Sequence, residues 1–178
     1  MRTRKDLAEE APRAALKPFH GDIQGRESNL EPIISLFPKW SVQQADGLWC
    51  AAFVYYCCLL AGFDFPYSPS SCVSCSLAGC GGWEEFALGD SQIAYHRRGE
   101  RDFVPQAGDI VLYDRVFNGQ EHDHIGVVLE ASDGGLVAAE GNVPGKNCSG
   151  LVRRRRDEHI RAYIRIPDGY RYEEDSET

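Results

Sequence analysis

The chain has 178 residues, 43% of them apolar and 26% charged, with a formal net charge of −8. That length fits one domain with a real core, and the acidic balance excludes nucleic acid as the main partner, because phosphate binding needs clustered Lys and Arg. The longest apolar run, residues 48–61, is shorter than the ~20 residues a bilayer helix needs, so no membrane partner is expected.

Residues 1–27 mix charges with Pro12, Pro18, Gly21 and Gly25 and show no sustained period. They are expected to form a loosely ordered N-terminal arm, with a helical turn or two over 8–16. Glu31-Pro32 starts a short helix with proline at its first position, and Pro38 ends it. Residues 49–61 are apolar on nearly every side, which predicts a helix buried all round, stopped by Gly62. Cys50 falls in its first turn. Unpaired N–H groups and the positive end of the helix dipole stabilise a thiolate there.

Residues 63–106 lack a clear period. They contain a turn-rich stretch at 66–71 and a short helix predicted over 83–88, and a loop this long is expected to border the functional cleft. From 108 onward the texture is β-rich. Strands are predicted at 109–113, 124–130, 136–140, 151–156 and 160–166, separated by Asn118-Gly119, Asp133-Gly134-Gly135 and Pro144-Gly145. Helices first and strands second predict an α+β domain over 28–167, with the buried helix packed on an antiparallel sheet of five or six strands. The four arginines at 153–156 read as a solvated strand edge. The acidic segment 168–178 reads as a disordered tail.

A cysteine nucleophile needs a lowered thiol pKa, a base within reach and a group that orients the base. Cys50 meets the first need. His122 and His124 are both candidates for the base. His124 is favoured because it opens a strand, and a group fixed by a sheet holds geometry better than one on a loop. Glu140, at the tip of an apolar strand, can accept the imidazole N–H. Asn142, two residues on, would share its face if the strand continued. The Cys50 N–H would serve an oxyanion site, with Gln44 as a second donor and Gln43 or Asp46 as alternatives. Trp49, Tyr67 and Trp83 are candidates for a substrate groove, since aromatic faces suit peptide or sugar recognition.

The segments Trp49-Cys-Ala-Ala-Phe-Val54, Gly108-Asp-Ile-Val-Leu-Tyr113, Asp123-His-Ile-Gly-Val-Val128 and Glu140-Gly-Asn142, in that order and spacing, resemble the CHAP family. These are cysteine, histidine-dependent amidohydrolases/peptidases of the NlpC/P60 superfamily. The resemblance implies a papain-like fold, a catalytic Cys50, His124 and Glu140, Asn142 as a fourth polar member, and a structural Asp109. It also implies bacterial cell-wall peptide as the substrate. The expected activity is therefore a cysteine amidase or endopeptidase acting on peptidoglycan peptides, with no cofactor. The other readings are an intracellular cysteine protease or acyltransferase using the same residues, and a non-catalytic binding module.

Seven cysteines are present, an odd number that leaves one thiol free under any pairing. Cys57 and Cys58 read as core packing. Cys72, Cys75 and Cys80, with Cys148, offer an alternative four-thiolate zinc site, although only one Cys-x-x-Cys pair has the usual spacing; a redox role or oxidised pair, and unpaired thiols in a small-residue loop, are the other readings of this cluster. No secretory signal is visible at the N-terminus. The chain is expected to be made in the cytoplasm and delivered to the envelope by another route, as a phage lysin or an injected toxin would be. A cognate immunity protein that plugs the cleft is then an expected partner.

Overall fold

A computed structural model describes residues 2–17 and 19–174. In chain order the elements are α1 (Arg4–Leu16), α2 (Glu31–Ile34), α3 (Val42–Ala45), α4 (Cys50–Leu60), α5 (Cys80–Gly89), β1 (Ala94–Arg97), β2 (Ile110–Tyr113), β3 (His124–Ala131), β4 (Gly135–Glu140), β5 (Gly150–Arg155) and β6 (Ile160–Arg165). The strands form one antiparallel sheet in the order β1-β6-β2-β3-β4-β5. This is the α+β, papain-like arrangement that the sequence predicts, with six strands.

Helix α4 is the centre of the core. Ala51, Ala52, Phe53, Val54, Cys57 and Cys58 are all fully buried, as an all-apolar helix must be. They pack with Ile110, Leu112, Ile125, Val127 and Ala139 from one face of the sheet. Each large side chain so buried contributes roughly 1.5–3 kcal/mol. The opposite face carries a smaller cluster that includes Val111, Tyr113, Val128, Leu136 and Tyr163.

Three expectations are corrected. Residues 4–16 are a well-formed helix rather than a loose arm. Thr3 caps α1 in a reciprocal box with Asp6, and Leu7, Ala11, Ala14 and Ala15 are buried against the core that α4 anchors. Those four positions follow a helical period, but three are alanines, so the apolar stripe is faint in the sequence. The segment after 167 is also tied down as far as it is described. Gly169 N–H donates to the Arg2 carbonyl at 2.8 Å, Arg4 N–H donates to Asp168 at 2.8 Å, and Tyr170 is buried against Phe65 and Phe86. The last part of the predicted tail, 175–178, lies outside the described residues. Finally, the 63–106 segment holds α5, which begins before the predicted helix, and β1, a four-residue edge strand beside β6.

Candidate active site

Cys50 is the first residue of α4, and Trp49, which precedes it, offers no side-chain cap. The first-turn N–H groups are therefore not consumed by a capping side chain, and the Ala51 N–H acts on the Cys50 sulfur. Only 8% of Cys50 is exposed. It opens into a pocket of about 170 Å³ whose walls include Leu48, Cys80, Phe117, His122 and Asn142.

His124 opens β3 and is fully buried. Its ring is stacked between those of Tyr113 and Phe117, at centroid distances of 5.9 and 6.0 Å. Nε2 meets Glu140 Oε2 at 2.8 Å. Nδ1 has no hydrogen-bond partner within the protein, which leaves it as the ring atom available to the Cys50 sulfur. Two glycines, Gly126 within β3 and Gly141 just after β4, make this approach feasible. A Cβ on Gly126 would sit 2.9 Å from Glu140 Cγ, and one on Gly141 would sit 2.4 Å from Phe53 Cβ. Bare backbone at 126 lets the Glu140 chain cross to the imidazole, and bare backbone at 141 lets the end of β4 press against α4.

Glu140 is fully buried and holds a second partner. Arg154 on β5 donates from Nε to Oε1 and from Nη2 to Oε2, both at 2.6 Å, in the paired geometry that favours arginine over lysine. The Arg154 guanidinium also lies 4.7 Å over the Tyr113 ring. One of the four arginines read as a solvated edge is thus drawn into the site. Strand β5 alternates between half-buried and exposed residues, and Arg154 occupies an inward position between exposed Arg153 and Arg155.

The electrostatics favour an ion pair. The Cys50 thiol is held well below its ordinary value, first by the Cys80 thiol, whose sulfur lies 3.9 Å away, and then by His124, against the opposing effect of burial. Burial alone would lower the His124 pKa, but Cys50 and Glu140 outweigh it and raise it to about 9. Burial likewise opposes ionisation of Glu140, and Arg154 and His124 hold it below the usual carboxylate range. The result is a buried set of alternating charge: thiolate, imidazolium, carboxylate and guanidinium.

Asn142 adopts a left-handed backbone, φ 50°, which asparagine tolerates better than most residues. Its Nδ2 donates to the Gly47 carbonyl at 2.7 Å. It thereby fixes the loop that leads into Cys50. His122, the other candidate base, is turned away from this pairing. It contacts Glu84, which also pairs with Arg161 at 2.8 Å. Asp123 accepts the N–H groups of Val116, Phe117, Asn118 and Gly119 at 2.9–3.2 Å, and so shapes the loop that forms one pocket wall.

Several expected site residues are placed elsewhere. Gln44 is exposed and closes a capping box on α3, with its side-chain carbonyl accepting from Ser41 N–H. It is not part of the pocket. Trp49 and Trp83 are fully buried. Trp49 Nε1 donates to Asn147, and Trp83 Nε1 donates to the Ala51 and Leu77 carbonyls. They brace α4 instead of lining a groove. Tyr67 packs edge-on against Phe37. The zinc alternative also fails on placement. Cys72 donates to the Gly82 carbonyl, Cys75 accepts from Gly82 N–H, Cys80 meets Cys50, and Cys148 lies in a bridge with His20. Among the described residues no three His, Cys, Asp or Glu side chains are grouped so as to hold a metal ion, and no helix is long and apolar enough to cross a membrane.

The model of the CHAP domain family matches residues 42–142, more than half of the chain, and the chain belongs to that family. CHAP domains are in general hydrolases with peptidoglycan-related amidase or peptidase activity. The fold is similar to the crystal structure of Ly7917, with a TM-score of 0.52 and 15% sequence identity; the match covers 93% of this chain and 62% of that one. At that identity the likeness concerns the fold alone. No curated protein sequence matches the chain.

Proposed function

We propose that this protein is a cysteine amidase or endopeptidase that hydrolyses amide bonds in peptidoglycan peptides. The observation that carries the chemistry is the His124 ring, held at Nε2 by a buried Glu140 and left free at Nδ1 beside a thiolate on the first turn of α4. Membership of the CHAP family supports the substrate class.

In this reading the Cys50 thiolate attacks the amide carbon, and the Cys50 N–H at the helix start stabilises the oxyanion. The His124 imidazolium gives its proton to the leaving amine. The neutral ring then takes a proton from water, which attacks the acyl-enzyme and releases the acid. Glu140 keeps the imidazole oriented, and Asn142 keeps the Cys50 loop in place.

The test is incubation with purified sacculi of several wall types, with released fragments read by mass spectrometry. The expected result is new amine or carboxyl termini at a defined peptide bond, abolished in Cys50→Ser. No cleavage of any sacculus by folded protein would overturn the wall reading. If Cys50 still alkylated rapidly at low pH in that protein, the same site would be assigned to an amide outside the wall.

A further inference from the structure

Two sulfurs share the active pocket. Cys50 Sγ lies 3.9 Å from Cys80 Sγ, both residues are more than 90% buried, and both line the same small opening. Of the other five cysteines, Cys148 lies in the bridge with His20, and four are engaged within the fold. Cys57 and Cys58 lie fully inside α4, and Cys72 and Cys75 are tied to the backbone of Gly82. Cys80 is the first residue of α5. It follows Ala78 and Gly79, which also border the pocket, so small residues flank the sulfur on its chain side.

We propose that Cys50 and Cys80 form a reversible disulfide when the protein meets a peroxide, and that this bond switches the nucleophile off. The Cys50 thiolate attacks one oxygen of hydrogen peroxide, the O–O bond breaks, and the departing hydroxide takes the proton of the His124 imidazolium and leaves as water. Cys50 is now a sulfenic acid. The Cys80 sulfur attacks the Cys50 sulfur, the S–O bond breaks, and the hydroxyl leaves with the Cys80 proton as a second water. Two thiols are oxidised by two electrons and one peroxide is reduced to two waters. A dithiol reverses the bond by exchange.

The geometry favours this route. A disulfide requires the sulfurs to close from 3.9 Å to about 2.05 Å, a shift within the reach of side-chain rotation at two helix starts. Cys50 has the thiolate character that peroxide selects for. Cys80 is pushed up first by the neighbouring Cys50 and then by burial; oxidation of Cys50 to the neutral sulfenic acid removes the first cause and eases release of the Cys80 proton as its sulfur attacks. The pocket admits a molecule as small as peroxide, and the partner thiol intercepts the sulfenic acid before further oxidation.

The experiment treats the full chain with hydrogen peroxide at neutral pH, reads intact mass, then blocks free thiols and reads chymotryptic peptides. The expected product is two mass units lighter. Its cross-link joins the peptide 50–53 to the peptide 78–83, Cys50 labelling falls at least tenfold, and dithiothreitol restores it. In Cys80→Ser and Cys80→Ala, each checked for native circular dichroism, the same dose should carry Cys50 to the sulfinic acid, 32 mass units heavier and not recovered by dithiothreitol. Equal over-oxidation of Cys50 with and without Cys80 would overturn the proposal, as would a cross-link confined to other cysteines. The readout is chemical, so it stands or falls independently of wall hydrolysis.

Discussion

At the scale of single residues, the feature with most leverage is the arginine behind the acid. Without Arg154 the buried set would carry one net negative charge. A neutral site would then be regained most easily by keeping the Cys50 proton. Replacing Arg154 with methionine should therefore raise the Cys50 pKa. The acid limb of its alkylation profile, which lies well below the ordinary thiol value of 9.0, should move to higher pH. Arg154→Lys restores the charge without the two-pronged geometry and should recover part of the shift. Loss of a partner to a buried carboxylate should also cost about 3 kcal/mol, lowering the melting temperature by about 6–12 °C in a chain of this length. A melting shift with an unmoved alkylation profile would reduce Arg154 to a structural role. The grouping of the proposed site is legible because order and spacing constrain its members together: Cys50 at a helix start, His124 at a strand start, Glu140 at a strand end and Asn142 just beyond it. Arg154 is not, because a run of four arginines gives no sign of which one turns inward until the strand's alternation and its neighbour are known. Trp49 and Trp83 misled for the converse reason. Neither proximity to the nucleophile, for Trp49, nor a place in a segment that borders the cleft, for Trp83, says which side of its helix an indole falls on.

At the scale of elements, the pairing of β3 with β4 delivers the acid to the base. Val127 faces Ala139 and Val128 faces Ala138, and an irregularity follows between Val128 and Glu130. Gly126 lies at the point where Glu140 must cross the strand. Gly126→Ala should press a methyl group against Glu140 Cγ, which Arg154 and His124 already pin. Hydrolysis and low-pH alkylation of Cys50 should fall at least tenfold while the circular dichroism spectrum is retained; a fully active variant would show that the crossing has slack. The sheet and α4 could be read from the sequence because both have strong apolar signals. Boundaries of β2 to β6 shift by only a residue or so from those predicted. Helix α1 and strand β1 were hidden for different reasons. Alanine buries little area per residue, so the stripe on α1 is weak even though Leu7 is fully buried. β1 is short, and Ala-Tyr-His-Arg has no clear alternation. It is a strand because β6 offers it a free edge.

At the scale of the molecule, the ionisable groups set opposing slopes of stability with pH. Burial alone would raise the Glu84 pKa, but Arg161, Tyr95 and His122 hold it down to about 2. A carboxylate depressed in the folded state stabilises above its unfolded value, here 4.5, and that contribution is lost as pH falls towards 2. Glu140 and Asp123 act in the same direction. His124 is raised, so its contribution is complete below 6.5 and is lost as pH rises through about 9. Cys50 is lowered, so its contribution is complete above 9.0 and declines as pH falls below that value. Between 6.5 and 9 the last two slopes oppose each other. Thermal melts should therefore be nearly flat across that window and should drop steeply on the acid side below about 4.5. A steepest loss between 6.5 and 9 would contradict the thiolate–imidazolium pairing.

The clasp between the Arg2 carbonyl and the Gly169 amide, reinforced by Arg4 and Asp168, has a consequence for construction. Residues 2 and 169 lie side by side, and the chain then runs on through the buried Tyr170. Anything fused before residue 2 would start beside the 168–170 segment, and a cut just after the clasp would take Tyr170 out of the core. A cargo joined there needs a linker long enough to clear that segment.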